Sequence, residues 1–463
     1  MKKIYISLCL LVVCSTSAVI AQVKKVASKT TPAAAQPANN ANKPKTAMTS
    51  NTSAVQYEII NGIRVILKPS TNNVVSAILF VTGGVKNYNL ATQGIEGLAL
   101  NVAADGGTKK YPKNVWHDLT EQKGIIINTN SSYDYSTLEI RTIDKNWHIA
   151  FDLLADLVSH PAWDMQSFEQ VKGASVSGLK QQESDPDSKL HNMSLSTTFK
   201  GTPYEADPDG SPESVNALTI DQLKAHYAKI MARRKMVLVV VGKVNMEELR
   251  KQVSTAFASL PEGLTDPFVS NPPKINTSTV NIEEREIATN YIQGIFSAPP
   301  TGTRESLAMR VGASILAERL FVEVRTKRNL SYAPSASVAG LFNPYGNVYV
   351  STTQPNDAVQ VMMDEIRKIK KDGFTEKELR DKKEGFLTGF YMGQETNSAQ
   401  ALTYGISELR GSWKKAESFK DDVYSLTTQE LTDAFRKYAT NISWFYLGDK
   451  DKVDEKIFKS KLD

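Results

Sequence analysis

The chain carries one ordered pattern of side chains twice. The stretch TIDQLKAHYAKIMARRKMVLVVVGKVNM, residues 219–246, returns as TTQELTDAFRKYATNISWFYLGDKDKV, residues 427–453. Leu223 pairs with Leu431 and Tyr227 with Phe435, each 208 residues on, and Gly242 pairs with Gly448 after 206. Residues 150–180 and 358–390 also run in parallel. Solenoid units are only about 20–50 residues long, so this period is too long for one. It predicts two homologous domains, each mixing strands and helices.

The elements of the leading half follow from periodicity. YEIINGIRVILKPS has Asn61-Gly62 between two apolar runs, which predicts a hairpin. VVSAILFVTGG reads as a buried strand ending in glycines. A buried helix follows over 94–104, then a helix over 113–123 and two strands, IIINTNSS and YSTLEIRTI. An amphipathic helix is expected over 147–159 and another over 167–182. Thr219 caps the helix TIDQLKAHYAKIM, which leads into the strand VLVVVG. The join between halves falls in LPEGLTDPFVSNPPKINTST, rich in Pro, Gly, Asn and Thr.

The ends differ in composition from the folded part. MKKIYISLCLLVVCSTSAVIAQ has two lysines, a short apolar run and small residues before Gln22, the layout of a secretory signal peptide. The run is too short to span a bilayer, and no other segment approaches that length. Cys9 and Cys14 are the only cysteines. Leu11-Val12-Val13-Cys14 offers lipid anchoring as the alternative, against which the bulk of Val13 counts. An Ala/Pro/Asn/Lys-rich tether follows, with too little apolar surface to fold. The expected layout is a signal peptide at 1–21, a flexible linker at 22–54, the first domain at 55–260, an interdomain linker at 261–280 and the second domain at 281–460. With 55 basic and 50 acidic residues the net charge is +5, too mild and too evenly spread to imply nucleic acid as a partner.

Local catalytic motifs are absent. The five histidines, His117, His148, His160, His191 and His226, include no pair within five residues, so no helix carries an i,i+4 ligand pair. They read as surface or packing residues. No nucleophile elbow, phosphate loop or dinucleotide fingerprint occurs in a sensible context. The most specific segment is LFVEVRTKRNLSYAPSASVAG, residues 320–340. An apolar stripe through Val311, Ile315, Leu320 and Val324 predicts a helix that Arg325 ends and Asn329 breaks, with Tyr332 opening a strand. The turn would bring the Arg325 guanidinium to the Tyr332 phenol, a donor pair suited to a peptide carbonyl or developing oxyanion. The alternative is a helix-end arginine on the surface and a tyrosine filling the core.

That segment resembles the arginine–tyrosine motif, R-T-K-x-x-L-x-Y, in the C-terminal half of the M16 (pitrilysin, insulinase-like) zinc peptidases. NGIRVILKP, the GTKKYP stretch at 107–112, ESDPDS at 183–188 and DPDG at 207–210 fit landmarks of the same family. The resemblance implies an α+β fold of two homologous M16-type (LuxS/MPP-like metallohydrolase) domains. Each would be a mixed, largely antiparallel sheet packed with helices, together forming half of a clamshell.

Active members hold zinc with an inverted HxxEH motif on the first long helix and a glutamate about 75 residues later. Counting from GTKKYP places the two histidine positions at Leu98 and Val102 and the catalytic glutamate at Asn101. Counting from Asp185-Pro186 places the distal glutamate at Ser177 or Gly178. Leucine, valine and glycine offer no lone pair, serine is a poor ligand, and an asparagine amide is not basic enough for a general base. The resemblance therefore implies a chain with no metal of its own that keeps Arg325 and Tyr332. Its expected role is that of a periplasmic subunit, predicted inactive alone. A partner M16 chain with intact HxxEH would carry the zinc, and unfolded peptides or small proteins would be substrates. A second copy of this chain is a further candidate partner. The alternatives are a catalytically dead structural or peptide-binding protein, and a self-sufficient peptidase with relocated ligands.

Overall fold

The computed structural model describes residues 54–340 and 342–462, which form one compact unit. The predicted signal peptide and nearly all of the flexible linker lie outside the described residues. Six strands build the leading sheet: β1 (Gln56–Ile60), β2 (Ile63–Pro69), β3 (Val74–Thr82), β4 (Ile126–Ser131), β5 (Tyr135–Ile143) and β6 (Met236–Gly242). Five build the trailing one: β7 (Thr279–Glu284), β8 (Asn290–Ser297), β9 (Ser335–Ala339), β10 (Tyr345–Thr352) and β11 (Ser443–Gly448). The helices of the leading half are α1 (Ile95–Gly106), α2 (Lys113–Lys123), α3 (Trp147–Ser159), α4 (Met165–Ser184), α5 (Pro186–Thr198), α6 (Pro212–Ala217), α7 (Ile220–Ile230) and α8 (Met246–Ala256). Those of the trailing half are α9 (Arg304–Leu320), α10 (Pro355–Asp372), α11 (Glu376–Met392), α12 (Asn397–Leu409), α13 (Lys415–Tyr424), α14 (Thr428–Tyr438) and α15 (Glu455–Phe458).

The strand orders are β1-β2-β6-β3-β5-β4 and β7-β11-β8-β10-β9. In both sheets one parallel pair, β2 with β6 and β7 with β11, is followed by antiparallel pairs. The sequence repeat is thus a topological repeat, with β6 equivalent to β11 and α7 to α14. Both helices open on a capping box, Thr219 with Gln222 and Thr427 with Glu430. Both strands end on a glycine in the same unusual conformation, φ 155° at Gly242 and 152° at Gly448. A Cβ at Gly242 would lie 3.0 Å from the Val75 Cα, and one at Gly448 3.1 Å from the Asn290 Cα. The neighbouring strand approaches too closely for a side chain at either place. The Asn61-Gly62 turn, with φ 50° and 88°, closes the predicted hairpin in the primed conformation that matches strand twist.

Each sheet buries one face against its own helices. On the leading sheet Val65, Leu67, Leu79, Leu138 and Leu238 pack with Leu98, Val102, Leu154 and Leu223. The other face of each sheet is covered by the opposite half. Helix α12 and its flanks place Ala401, Tyr404, Leu409 and Ala416 against Ile78, Phe80, Val237 and Val239 of the leading sheet. Helix α5 and the segment after it place Leu190, Leu195, Phe199 and Tyr204 against Ile295, Phe445 and Leu447 of the trailing sheet. The exchange explains why β3 and β6 read as continuous apolar runs: strands covered on both faces have no polar side. Residues 261–278 contain no helix or strand. They are tied down, with the Arg233 and Arg234 N–H groups donating to the Pro261 and Glu262 carbonyls at 2.9 Å each and Phe268 packed edge-on to Phe342.

Candidate functional site

Helix α1 carries three of the positions where the zinc motif of the resemblance would fall. Leu98 and Val102 are buried, Val102 completely, in the apolar core of the leading half. Asn101 is exposed, and its Oδ1 accepts a hydrogen bond from the Thr129 hydroxyl at 2.5 Å. On the neighbouring α4, Ser177 turns its hydroxyl back to the Gly173 carbonyl at 2.9 Å, and Gly178 faces open space. None of the five supplies a ligand of the kind Zn²⁺ takes from proteins. Among the described residues, no group of three His, Cys, Asp or Glu is placed to hold a metal ion. The residues do not fit the zinc centre of active M16 chains.

Two residues before Leu98, α1 instead buries a carboxylate. Glu96 is fully enclosed, and it accepts from Ser136 Oγ at 2.5 Å, Asn87 Nδ2 at 2.9 Å and, at 3.0 Å, His226 Nε2 of α7. Four elements meet on it. This satisfies the requirement that a buried polar group be hydrogen-bonded, and it anchors the start of α1. His226 is therefore a core histidine with a specific partner, not a ligand. The DPDG turn at 207–210 closes over the same helix end. Gly94 and Gly210, both at positive φ, lie back to back, and a Cβ on either would come within 2.7 Å of the other strand's backbone oxygen.

The trailing half presents a different surface. The α-helix α9 ends at Leu320, and Arg325 lies on a π-helical turn, Phe321–Thr326, that continues it. Such turns re-aim side chains and are frequent at functional sites. Val324 and Leu330 anchor the segment in the core, with the Leu330 N–H donating to the Val324 carbonyl at 2.9 Å. Asn329 reverses the chain at φ 51°. Tyr332 does not open a strand, contrary to the sequence expectation. It sits in the loop before Pro334, which lacks an N–H to pair, and β9 starts only at Ser335.

Turn and loop together lay the Arg325 guanidinium over the Tyr332 ring, 3.9 Å from its centroid, with the Phe321 ring 4.8 Å away on another side. Tyr332 is 78% exposed, so it fills no core. The one acid of the turn, Glu323, is held by Lys327 and Arg328 at 2.6 Å each, and these bonds drop its carboxyl to about 2. No carboxylate pairs with Arg325 among the described residues, and its donors remain open to an incoming group. Phe321 and Val322, 45% and 43% exposed, extend the patch with apolar surface.

A twice-repeated α+β plan, with an exposed arginine–tyrosine stack in its trailing half, defines the class of two-domain metallopeptidase homologues. The chain belongs to the M16 family. Residues 64–207 match the family model described as insulinase (peptidase family M16), and residues 217–386 match the one described as the peptidase M16 inactive domain. A Helicobacter pylori protein named non-peptidase homolog YmxG is 24% identical over 350 residues, spanning 73% of this chain and 80% of that one. The crystal structure of a peptidase M16 inactive domain from Pseudomonas fluorescens superposes with a TM-score of 0.76 at 19% identity, over 86% of this chain and 98% of that one. The periplasmic protease PqqL from Escherichia coli superposes with a TM-score of 0.73 at 14% identity, over 92% of this chain and 49% of that one. The α+β fold of two M16 domains is thereby shown. Among the described residues no helix is long and apolar enough to cross a membrane.

Proposed function

We propose that this chain is the non-catalytic, substrate-binding subunit of an exported, periplasmic heteromeric M16 zinc peptidase. The observation that carries the reading is the exposed Arg325–Tyr332 stack, free of any carboxylate, in a chain whose metal positions hold Leu98, Asn101, Val102, Ser177 and Gly178. A stacked arginine keeps its N–H groups available while the ring fixes its plane. Beside it the phenol adds a further donor. Together they suit a scissile carbonyl presented by a partner chain with intact HxxEH, which would hold the ion. The apolar rim of Phe321 and Val322 suits an extended peptide or the partner's own surface. The signal-peptide layout of residues 1–21 supports export, and the similarity to a periplasmic protease agrees with it.

The test is reconstitution with an HxxEH-bearing M16 chain of the same organism. Mixing should produce peptide cleavage absent from this chain alone. Arg325→Ala should cut that rate by on the order of 10²–10³, as loss of an oxyanion donor does, and Tyr332→Phe should also lower it. Full activity in both variants refutes the donor role. A second reading, a structural or peptide-binding protein with no part in hydrolysis, is favoured by the non-peptidase name of the H. pylori relative. Peptide binding with no turnover in any mixture would establish it.

A further inference from the structure

A cavity of about 490 Å³ lies at the opposite end of α9 from Arg325, walled by α9, α11, α12, α13 and the β9 edge. Its lining includes four cations, Arg304, Arg310, Arg410 and Lys415, against one carboxylate, Asp422. Arg304 is already spent, its fork held by Glu430 at 2.8 and 3.1 Å. Lys415 donates to the Arg410 carbonyl at 3.1 Å, and Asp422 accepts from the Ser418 hydroxyl at 2.9 Å.

Arg310 and Arg410 have no such partners. Arg310 is solvent-exposed at the cavity's edge, where its guanidinium lies 5.9 Å from the centroid of the Phe386 ring. Arg410 is half-buried, and its Nε is shut off from solvent with no hydrogen-bond partner. Burial first, and the neighbouring Arg310 charge second, push its guanidinium down to about 10. Asp134, the carboxylate nearest in effect, is occupied by the Tyr204 hydroxyl and the Phe342 N–H. The two like charges face one cavity with no carboxylate bonded to either, and an anion between them would relieve their repulsion and sit beside the unpaired Arg410 Nε. The remaining lining combines apolar side chains, Ile406, Phe390 and Phe419 among them, with hydroxyls such as those of Thr403 and Ser407, and the volume is that of a small-molecule site.

We propose that this cavity binds an amphiphilic organic anion, with a carboxylate or phosphate head between Arg310 and Arg410 and an apolar body along Ile406, Phe390 and Phe419. The inference does not rest on the role of Arg325 and Tyr332. Calorimetric titration of the purified chain with octanoate, octyl phosphate and octanol tests it. At least one of the two anions should bind with unit stoichiometry and raise the melting temperature, while octanol should bind at least about tenfold more weakly, the least that one lost charged hydrogen bond costs. Preference for octanoate marks a carboxylate ligand, and preference for octyl phosphate a phosphate ester. Arg310→Gln and Arg410→Gln should each weaken the anion about tenfold or more without lowering the melting point of the empty protein, since neither leaves a carboxylate unpaired. Absence of saturable anion binding, or octanol binding as tightly as both anions, overturns the proposal without any variant. Unchanged affinity in both variants overturns it as well.

Discussion

Asp207 shows how much of a single side chain is visible only in the fold. It belongs to the DPDG landmark, and its Oδ1 accepts from the Asp209 N–H at 2.9 Å, an ordinary turn contact. Packed against the end of α1, its carboxyl is pushed up to about 6, mainly by burial and further by the Asp209 charge. In the unfolded chain it titrates near 4. The folded state therefore holds the extra proton between about pH 4 and pH 6, and this group's contribution to stability falls as pH rises through that window. Asp207→Asn keeps the acceptor and removes the charge. It should raise the stability of the protein at pH 7.5 by on the order of 1–2 kcal/mol and leave it unchanged at pH 4, as read by denaturant titration at the two values. A loss at pH 7.5 would show that the ionised carboxylate has a partner. The burial of Leu98 and Val102 was legible beforehand because the apolar run over 94–104 predicts a buried helix. Arg325 and Tyr332 were legible by their spacing, although Pro334 moved the strand start past the tyrosine. The Glu96 network was not, since Ser136 and His226 lie 40 and 130 residues away in sequence. A glutamate on an amphipathic helix reads as a solvated one. The unpaired Nε of Arg410 was equally hidden, since an arginine at a helix end is assumed to find water or an acid.

Helices and strands followed their sequence patterns closely wherever capping chemistry or periodicity was local. The helices at 113–123 and 147–159 have the bounds expected of them. What periodicity does not report is which sheet a helix covers. Nothing within α12 marks it for the leading sheet, whose strands precede it by more than 150 residues. The contact that fits it there is Gly405, where an added Cβ would meet the Phe80 ring well inside van der Waals distance. Phe80 is fully buried between α12 and the sheet, packed 5.4 Å from Tyr135, and has no room to withdraw. Gly405→Ala should therefore destabilise the protein by about 1–3 kcal/mol, the usual cost of overpacking, even though alanine is the better helix former. Phe80→Leu in the same chain should recover part of that loss. Equal stability of the alanine variant and the parent in urea would mean that α12 docks on the sheet with room for a side chain at this position.

The reciprocal cover makes the two halves one folding unit despite their common plan. Separated from the trailing half, the leading sheet would expose Ile66, Ile78, Phe80, Val237, Val239 and Val241 on one face, all buried in the whole chain. The trailing sheet would likewise expose Ile295, Phe445 and Leu447. Each is a contiguous apolar surface of the kind that drives association. Polar ties cross as well: Asn397 Nδ2 donates to the Val74 carbonyl, and Lys68 Nζ donates to Gln400 Oε1 at 2.8 Å. Interfaces of this apolar character do not behave as hinges between autonomous domains. Calorimetry of the intact protein should give a single transition whose van't Hoff and calorimetric enthalpies agree. Residues 54–278 and 279–462, produced separately, should aggregate or remain partly unfolded, and recover a folded one-to-one complex when co-expressed. Two resolved transitions, or a stable monomeric leading half, would mean that the exchanged helices contribute little. That outcome would also free the Arg325–Tyr332 surface to move relative to α1, whereas a single unit holds it at a fixed distance.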